Sequence, residues 1–152
     1  MSVADLCSRN VVTVRAVDNV VVAAKLMREH HVGYTVVVED DFTASTQRPV
    51  GVLTDRDIVV ATVARDRDPR GMTVREVMTP NPVAVKMTES LAGALREMRR
   101  VGVRRMPVVG EVGELVGVLS IDQILGALSG GLADLVGALR HGQQFETTLR
   151  TG

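Results

Sequence analysis

The chain has 152 residues, 45% of them apolar, and its 18 Lys and Arg balance 18 Asp and Glu. That length and apolar content suit one compact globular domain or two small packed ones, while zero net charge removes the basic field that draws proteins to nucleic acid or an anionic membrane. Three scattered aromatics, Tyr34, Phe42 and Phe145, make no base-stacking platform, and a single cysteine, Cys7, rules out an internal disulfide.

At the N-terminus, Ser2 and Asp5 are spaced to cap a short helical turn. The early Asp5 is not followed by a long apolar run, and the longest apolar stretch, 20–24, is far too short to cross a bilayer, so a cytoplasmic protein is expected. Cys7 reads as a small buried apolar residue, and with no Cys/His cluster no metal site is expected. Residues 11–14 form a strand signal, and Asp18-Asn19 caps a helix over about 20–30 whose core face is Val20, Ala23, Ala24 and Met27. A β-branched strand over 34–38, a polar loop over 39–48 and a strand over 49–53 follow, and then a helix over about 55–64. Residues 65–72 are charged, contain Pro and Gly, and read as a linker.

From Thr73 the pattern restarts. Asn10 and Asn81, Val12 and Val83, Val14 and Val85, Met27 and Met98, and Val37 and Val108 all stand 71 residues apart, which is an internal repeat. Thr73 and Glu76 form a capping box, residues 79–82 a turn, and 83–86 a strand; Thr88 caps a helix with Leu91, Leu95 and Met98 on its apolar face. Strands over 106–109 and 115–119 and a helix over about 121–128 complete the second unit. Gly51 and Gly117 are only 66 apart, so the first unit carries five extra residues near 42–47, which should lengthen a surface hairpin. The units, 1–64 and 73–129, are each β-α-β-β-α and too small to stand alone, so an α/β fold is predicted in which the two pack sheet to sheet about a pseudo-two-fold axis. After Gly130-Gly131, apolar residues over 132–139 read as an accessory helix, with an exposed tail to residue 152.

Both repeats carry a junction in which an apolar strand runs into a polar helix start: Gly51-Val-Leu-Thr-Asp-Arg-Asp57 and Gly117-Val-Leu-Ser-Ile-Asp-Gln123. Such junctions leave free backbone N–H groups at the positive end of a helix dipole, where an anionic or hydroxyl-rich ligand can sit. They are equally capping boxes, and for Ser120 with Gln123 capping accounts for the pair. Asp57 adds an ionised acceptor able to take two hydrogen bonds from a ribose diol. His30, His31 and His141 have no nucleophile or carboxylate at suggestive spacing, so no catalytic residue and no enzyme activity are expected.

The combined pattern, including Val77-Met-Thr-Pro-Asn-Pro82, Val103-Arg-Arg-Met-Pro-Val-Val109, the helix ends Met27-Arg and Met98-Arg, and both Gly-Val-Leu-Thr/Ser junctions, resembles a tandem cystathionine-β-synthase (CBS) domain pair, or Bateman module, over roughly residues 3–129. The resemblance implies a non-catalytic regulatory module that binds an adenosine-containing ligand (AMP, ADP, ATP or S-adenosylmethionine) between the repeats, requires no cofactor, dimerises with a second copy and passes its output to an effector protein. It places the ligand-binding hydroxyl and carboxylate on Thr54 and Asp57 beside Arg56, the adenine pocket on Met78, Thr79, Asn81, Val83 and Val103, and phosphate contacts on Arg104 and Arg105. The symmetric cleft, of Ser8, Asn10, Val12, Val32 and Ser120, departs from the family pattern because Gln123 replaces the ribose-binding Asp, and Gly33 and Tyr34 stand where the other repeat has Arg104 and Arg105. The alternative is a CBS-pair dimer that serves as a structural or interaction protein without ligand.

Overall fold

The computed structural model describes the backbone of residues 1–150 and the side chains of residues 1–141. Its elements run α1 (Val3–Leu6), β1 (Thr13–Arg15), α2 (Val20–His30), β2 (Tyr34–Asp41), β3 (Thr46–Thr54), α3 (Asp55–Ala61), α4 (Val74–Val77), β4 (Thr79–Pro80), β5 (Val85–Lys86), α5 (Leu91–Val101), β6 (Arg105–Val109), β7 (Leu115–Ser120) and α6 (Ile121–Arg150), with short 3-10 turns at Val63–Arg65 and Pro69–Gly71. The helix starts follow from local chemistry. Asn19 accepts from Val21 N at 2.8 Å to open α2, and Ser90, its counterpart 71 residues on, accepts from Gly93 N at 3.0 Å to open α5. The cap expected at Thr88 is therefore two residues later, because Thr88 lies in the turn that leaves β5.

The helix ends repeat as well. α2 closes on His31 with φ 54°, and α5 closes on Gly102 with φ 77°. Both are left-handed caps whose N–H bonds back to the last turn, a conformation glycine adopts freely and histidine does not.

Two sheets form, in the orders β1-β2-β3-β4 and β5-β6-β7. In each, the first strand pairs parallel to the second, and the second antiparallel to the third, with a bulge at Val37/Val38 in one and at Val108/Val109 in the other. The five extra residues lengthen the β2–β3 hairpin to Asp41 and Thr46, beyond the strands predicted from sequence. Its tip is held by Asp41 Oδ1, which accepts from Thr43 N at 3.0 Å. α3 is shorter than predicted, ending at Ala61, where buried Thr62 turns its hydroxyl back onto Ile58 O at 2.7 Å and the chain tightens into a 3-10 turn.

The cores do not follow sequence order. Val3, at the start of the first repeat, is fully buried among Val85, Ala94, Met98, Met106, Val108, Leu119 and Ile124 of the second. Val74, at the start of the second, is fully buried among Val14, Ala16, Ala23, Met27, Val37 and Leu53 of the first. The segment behind each crosses with it: Thr79 pairs with Val52, and Ser8 exchanges two 2.9 Å backbone bonds with Val118. Each repeat thus supplies the lid of the other's core.

This crossing explains the junction glycines. A Cβ on Gly51 would lie 2.5 Å from Met78 Sδ and 3.2 Å from Thr79 O, and one on Gly117 would lie 2.6 Å from Ser8 O. α6 also departs from expectation, running through Gly130-Gly131 without a break, so the accessory helix is its continuation. Residues 151–152 of the expected tail lie outside the described residues. No helix among the described residues is long and apolar enough to cross a membrane.

Gly117→Ala should destabilise by about 1–3 kcal/mol, because backbone must move, and Gly51→Ala by less, because a methionine tip can swing aside; urea unfolding of both variants measures the difference. His31→Gly should stabilise by about 1 kcal/mol by relieving the left-handed cap, read as a raised urea midpoint at unchanged slope.

Candidate functional site at the strand-to-helix junctions

The two junctions are built alike. Asp57 N donates to Thr54 Oγ1 at 3.1 Å, and Thr54 N donates to Asp57 Oδ2 at 2.9 Å. Gln123 N donates to Ser120 Oγ at 3.2 Å, while Gln123 Oε1 accepts from Ser120 N at 2.8 Å and from Ser120 Oγ at 3.0 Å. Both are complete capping boxes. They differ in what remains: the one acceptor oxygen of Gln123 already takes two bonds, whereas Asp57 Oδ1 has no partner among the described residues. An unengaged carboxylate oxygen on the residue that completes the cap is therefore present in the first junction and missing from the second.

The register brings the centre of the molecule together. Tyr34 lies opposite Thr54, and Arg105, its equivalent in the repeat, lies opposite Ser120. These two equivalents meet each other, with Arg105 Cζ 5.9 Å from the centroid of the Tyr34 ring. The Tyr34 hydroxyl is buried without a hydrogen-bond partner among the described residues. Burial pushes its pKa well above the ordinary phenol value, against the opposing pull of the Arg105 charge. Arg104 and Arg105 also reach Asp122, at 3.7 and 3.9 Å. Asp122, rotated away from Ser120 on the helix, is thus the counter-ion of both arginines expected to meet phosphate, a pairing hidden from the sequence because it spans a strand end and a helix start.

The residues proposed for the first cleft are distributed as follows. Thr79 pairs with Val52, two residues ahead of Thr54, so the entry to the second repeat runs along the first junction. Asn81, at φ 49°, turns the chain there and donates its N–H to Val50 O at 3.0 Å. Met78 packs on the first core, and Val83 and Val103 pack on the second. Arg56 and Asp57 line a cleft of about 330 Å³ with Val60, Ala61, Arg65, Glu76 and Val77. Met78 and Asn81 instead line a separate cavity of about 540 Å³ with Arg15, Arg75 and Phe42 among others. Thr54, Asp57, Met78, Thr79 and Asn81 are thus brought to one sheet edge, but Asp57 opens on one cavity and Met78 and Asn81 on another.

The second set is more closely gathered. Asn10, Val12 and Val32 line a cavity of about 250 Å³ with Tyr34, Arg105 and Val118. Ser8 is tied to Val118, and Ser120 is buried at the end of the same strand. Two charged residues that the sequence left out of the first cleft stand in it. Arg65 comes from the turn after α3, and Glu76 comes from the exchanged helix α4. The Glu76 carboxyl is held below its ordinary range chiefly by the Thr73 N–H, aided by the Thr73 hydroxyl and Arg67. Thr73-x-x-Glu76 was legible as a cap, but its place beside Asp57 depends on the crossing of the repeats. No group of three or more His, Cys, Asp or Glu capable of holding a metal ion comes together among the described residues.

Two β-α-β-β-α units with exchanged leading helices and paired capping junctions define a tandem-repeat architecture. The CBS-domain family profile matches residues 3–64 and 74–130, and the chain belongs to the CBS-domain family. The CBS domain-containing protein YhcV of Bacillus subtilis is 36% identical over 124 residues, covering 81% of this chain and 82% of that protein. An uncharacterized protein of Methanopyrus kandleri is 30% identical over 125 residues, and that match spans 82% of this chain but only 61% of the relative's length. The crystal structure of CBSX2 in complex with AMP has a TM-score of 0.69 at 27% identity, covering 85% of this chain and 96% of that one.

Tyr34→Phe removes a buried hydroxyl that bonds nothing among the described residues, so it should stabilise the ligand-free chain by about 1 kcal/mol; calorimetric unfolding of the variant beside wild type checks this.

Proposed function

We propose that the protein is a non-catalytic sensor module that binds an adenosine-containing ligand, AMP, ADP, ATP or S-adenosylmethionine, with one principal site per chain at Thr54 and Asp57. The observation that carries this reading is the unengaged Asp57 Oδ1 beside a completed helix cap, where a vicinal diol finds a charged acceptor without breaking the cap. Arg56 and Arg65 in the same cleft supply positive charge for a phosphate or a carboxylate. The AMP complex of the related CBSX2 structure supports the ligand class.

Isothermal titration of the four ligands tests the assignment. Asp57→Asn should weaken binding about ten- to a hundredfold, because a hydrogen bond to an ionised group contributes about 1.5–3 kcal/mol, and the cap should survive because Asn still accepts from a nearby N–H. Gln123→Ala should leave the affinity of that site unchanged. Two equal sites per chain, or a folded Asp57→Asn variant that binds as wild type, would overturn the assignment, and no heat with any of the four ligands would favour a structural or interaction role.

A further inference from the structure

The cavity of about 540 Å³ lies between the exchanged helix α4 and the β2–β3 hairpin, and Asp57 does not line it. Its floor is apolar: Ala16 and Val38 are buried, and Val50 and Met78 pack on the first core. Charge lines the rim in two forms. Arg15 and Asp40 neutralise each other through two hydrogen bonds, at 2.5 and 3.0 Å. Arg75 and Glu39 make no ion pair with any described residue, so the same cavity is lined by one unengaged guanidinium and one unengaged carboxylate. The backbone of Arg75 is fixed, its N–H donating to Ala16 O at 2.9 Å. Phe42, carried by the lengthened hairpin, completes the rim and is 88% exposed, so its ring can lie across an apolar body in the cavity.

These features stand at one end of the molecule. The residues 71 positions from Arg75 and Glu39 are Ala4 and Gly110, and the five extra residues around Phe42 have no counterpart in the second repeat. The fold does not require the two charges, since the second core closes with Ala4 and Gly110 in those places.

We propose that this cavity binds a free α-amino acid with a large apolar side chain, at a site separate from the Thr54 and Asp57 cleft. Arg75 takes the carboxylate, Glu39 takes the ammonium, and the side chain lies on Val38, Val50 and Met78 under Phe42. A nucleotide suits the cavity less, because its phosphates would meet the carboxylates of Glu39 and Asp40. A ligand seated there touches α4 of one repeat and the hairpin of the other, so its binding stabilises the exchange of segments between them.

Titration calorimetry of the intact chain with L-phenylalanine and L-leucine, together with thermal unfolding, tests the site. At least one of the two should bind with a dissociation constant of about 0.01–1 mM and raise the unfolding midpoint. For L-phenylalanine, the analogues 3-phenylpropionate, which lacks the ammonium, and phenethylamine, which lacks the carboxylate, should each bind at least about fivefold more weakly. Glycine, which lacks the side chain, should give no saturable heat. Arg75→Met and Glu39→Gln, both at exposed positions, should each fold as wild type and weaken amino-acid binding at least about fivefold. Saturating AMP should not displace the amino acid. No binding of either amino acid at about 10 mM would overturn the proposal, as would displacement by AMP or folded Arg75→Met and Glu39→Gln variants that bind as wild type. Equal binding of 3-phenylpropionate and L-phenylalanine would overturn it too, since Glu39 would then hold no ammonium.

Discussion

The structure depends on the burial of two valines in cores that are not their own. Val3 and Val74 are each fully enclosed by the other repeat, and each contributes about 1.5–3 kcal/mol from burial alone. Neither repeat has a closed core without that exchange, so the pair should fold as one unit although its sequence divides into two. The same crossing lays β4 against Gly51 and Ser8 against Gly117, which is why both junctions begin with a residue that has no side chain. The clefts are a by-product: each lies where one repeat's entry segment passes the other's strand-to-helix turn.

At those turns the chemistry of folding and the chemistry of binding share the same atoms. Thr54 and Ser120 both cap helices, and the residue three positions on completes each cap. The distinction lies in valence. A carboxylate completes the cap with one oxygen and retains another, whereas a carboxamide offers one acceptor and uses it. Asp57 in place of Gln123, in junctions that make the same cap bonds, therefore makes the two clefts chemically unequal without changing the fold.

The repeats also diverge where their central residues meet. Tyr34 and Arg105 are equivalent by sequence, yet one is a largely enclosed phenol and the other an exposed guanidinium, stacked together near the pseudo-two-fold axis. Asp122 then draws Arg105 and Arg104 toward the start of α6. Positive charge consequently gathers at the second junction as ion pairs, while the first retains Arg56 and Arg65 around its free carboxylate oxygen. Nearly symmetric backbones thus carry an asymmetric electrostatic surface.

Much of this was readable in the chain because it is governed by short-range rules. Helix caps at Asn19 and Thr54, the 3.6-residue spacing of Val20, Ala23 and Met27, the β-branched strands and the 71-residue periodicity all act within a few residues of themselves, and each has its predicted counterpart in the structure. The Thr54 and Asp57 junction was legible for the same reason, since its bonds span only three residues. What the tertiary structure alone decided involves partners far apart in sequence: Val3 in the second core, Glu76 and Arg65 beside Asp57, Arg104 and Arg105 on Asp122, and Tyr34 under Arg105. The course of α6 belongs there too. Two consecutive glycines are a local signal to stop, and the helix that runs through them keeps five leucines on one face, an arrangement that local propensity does not specify.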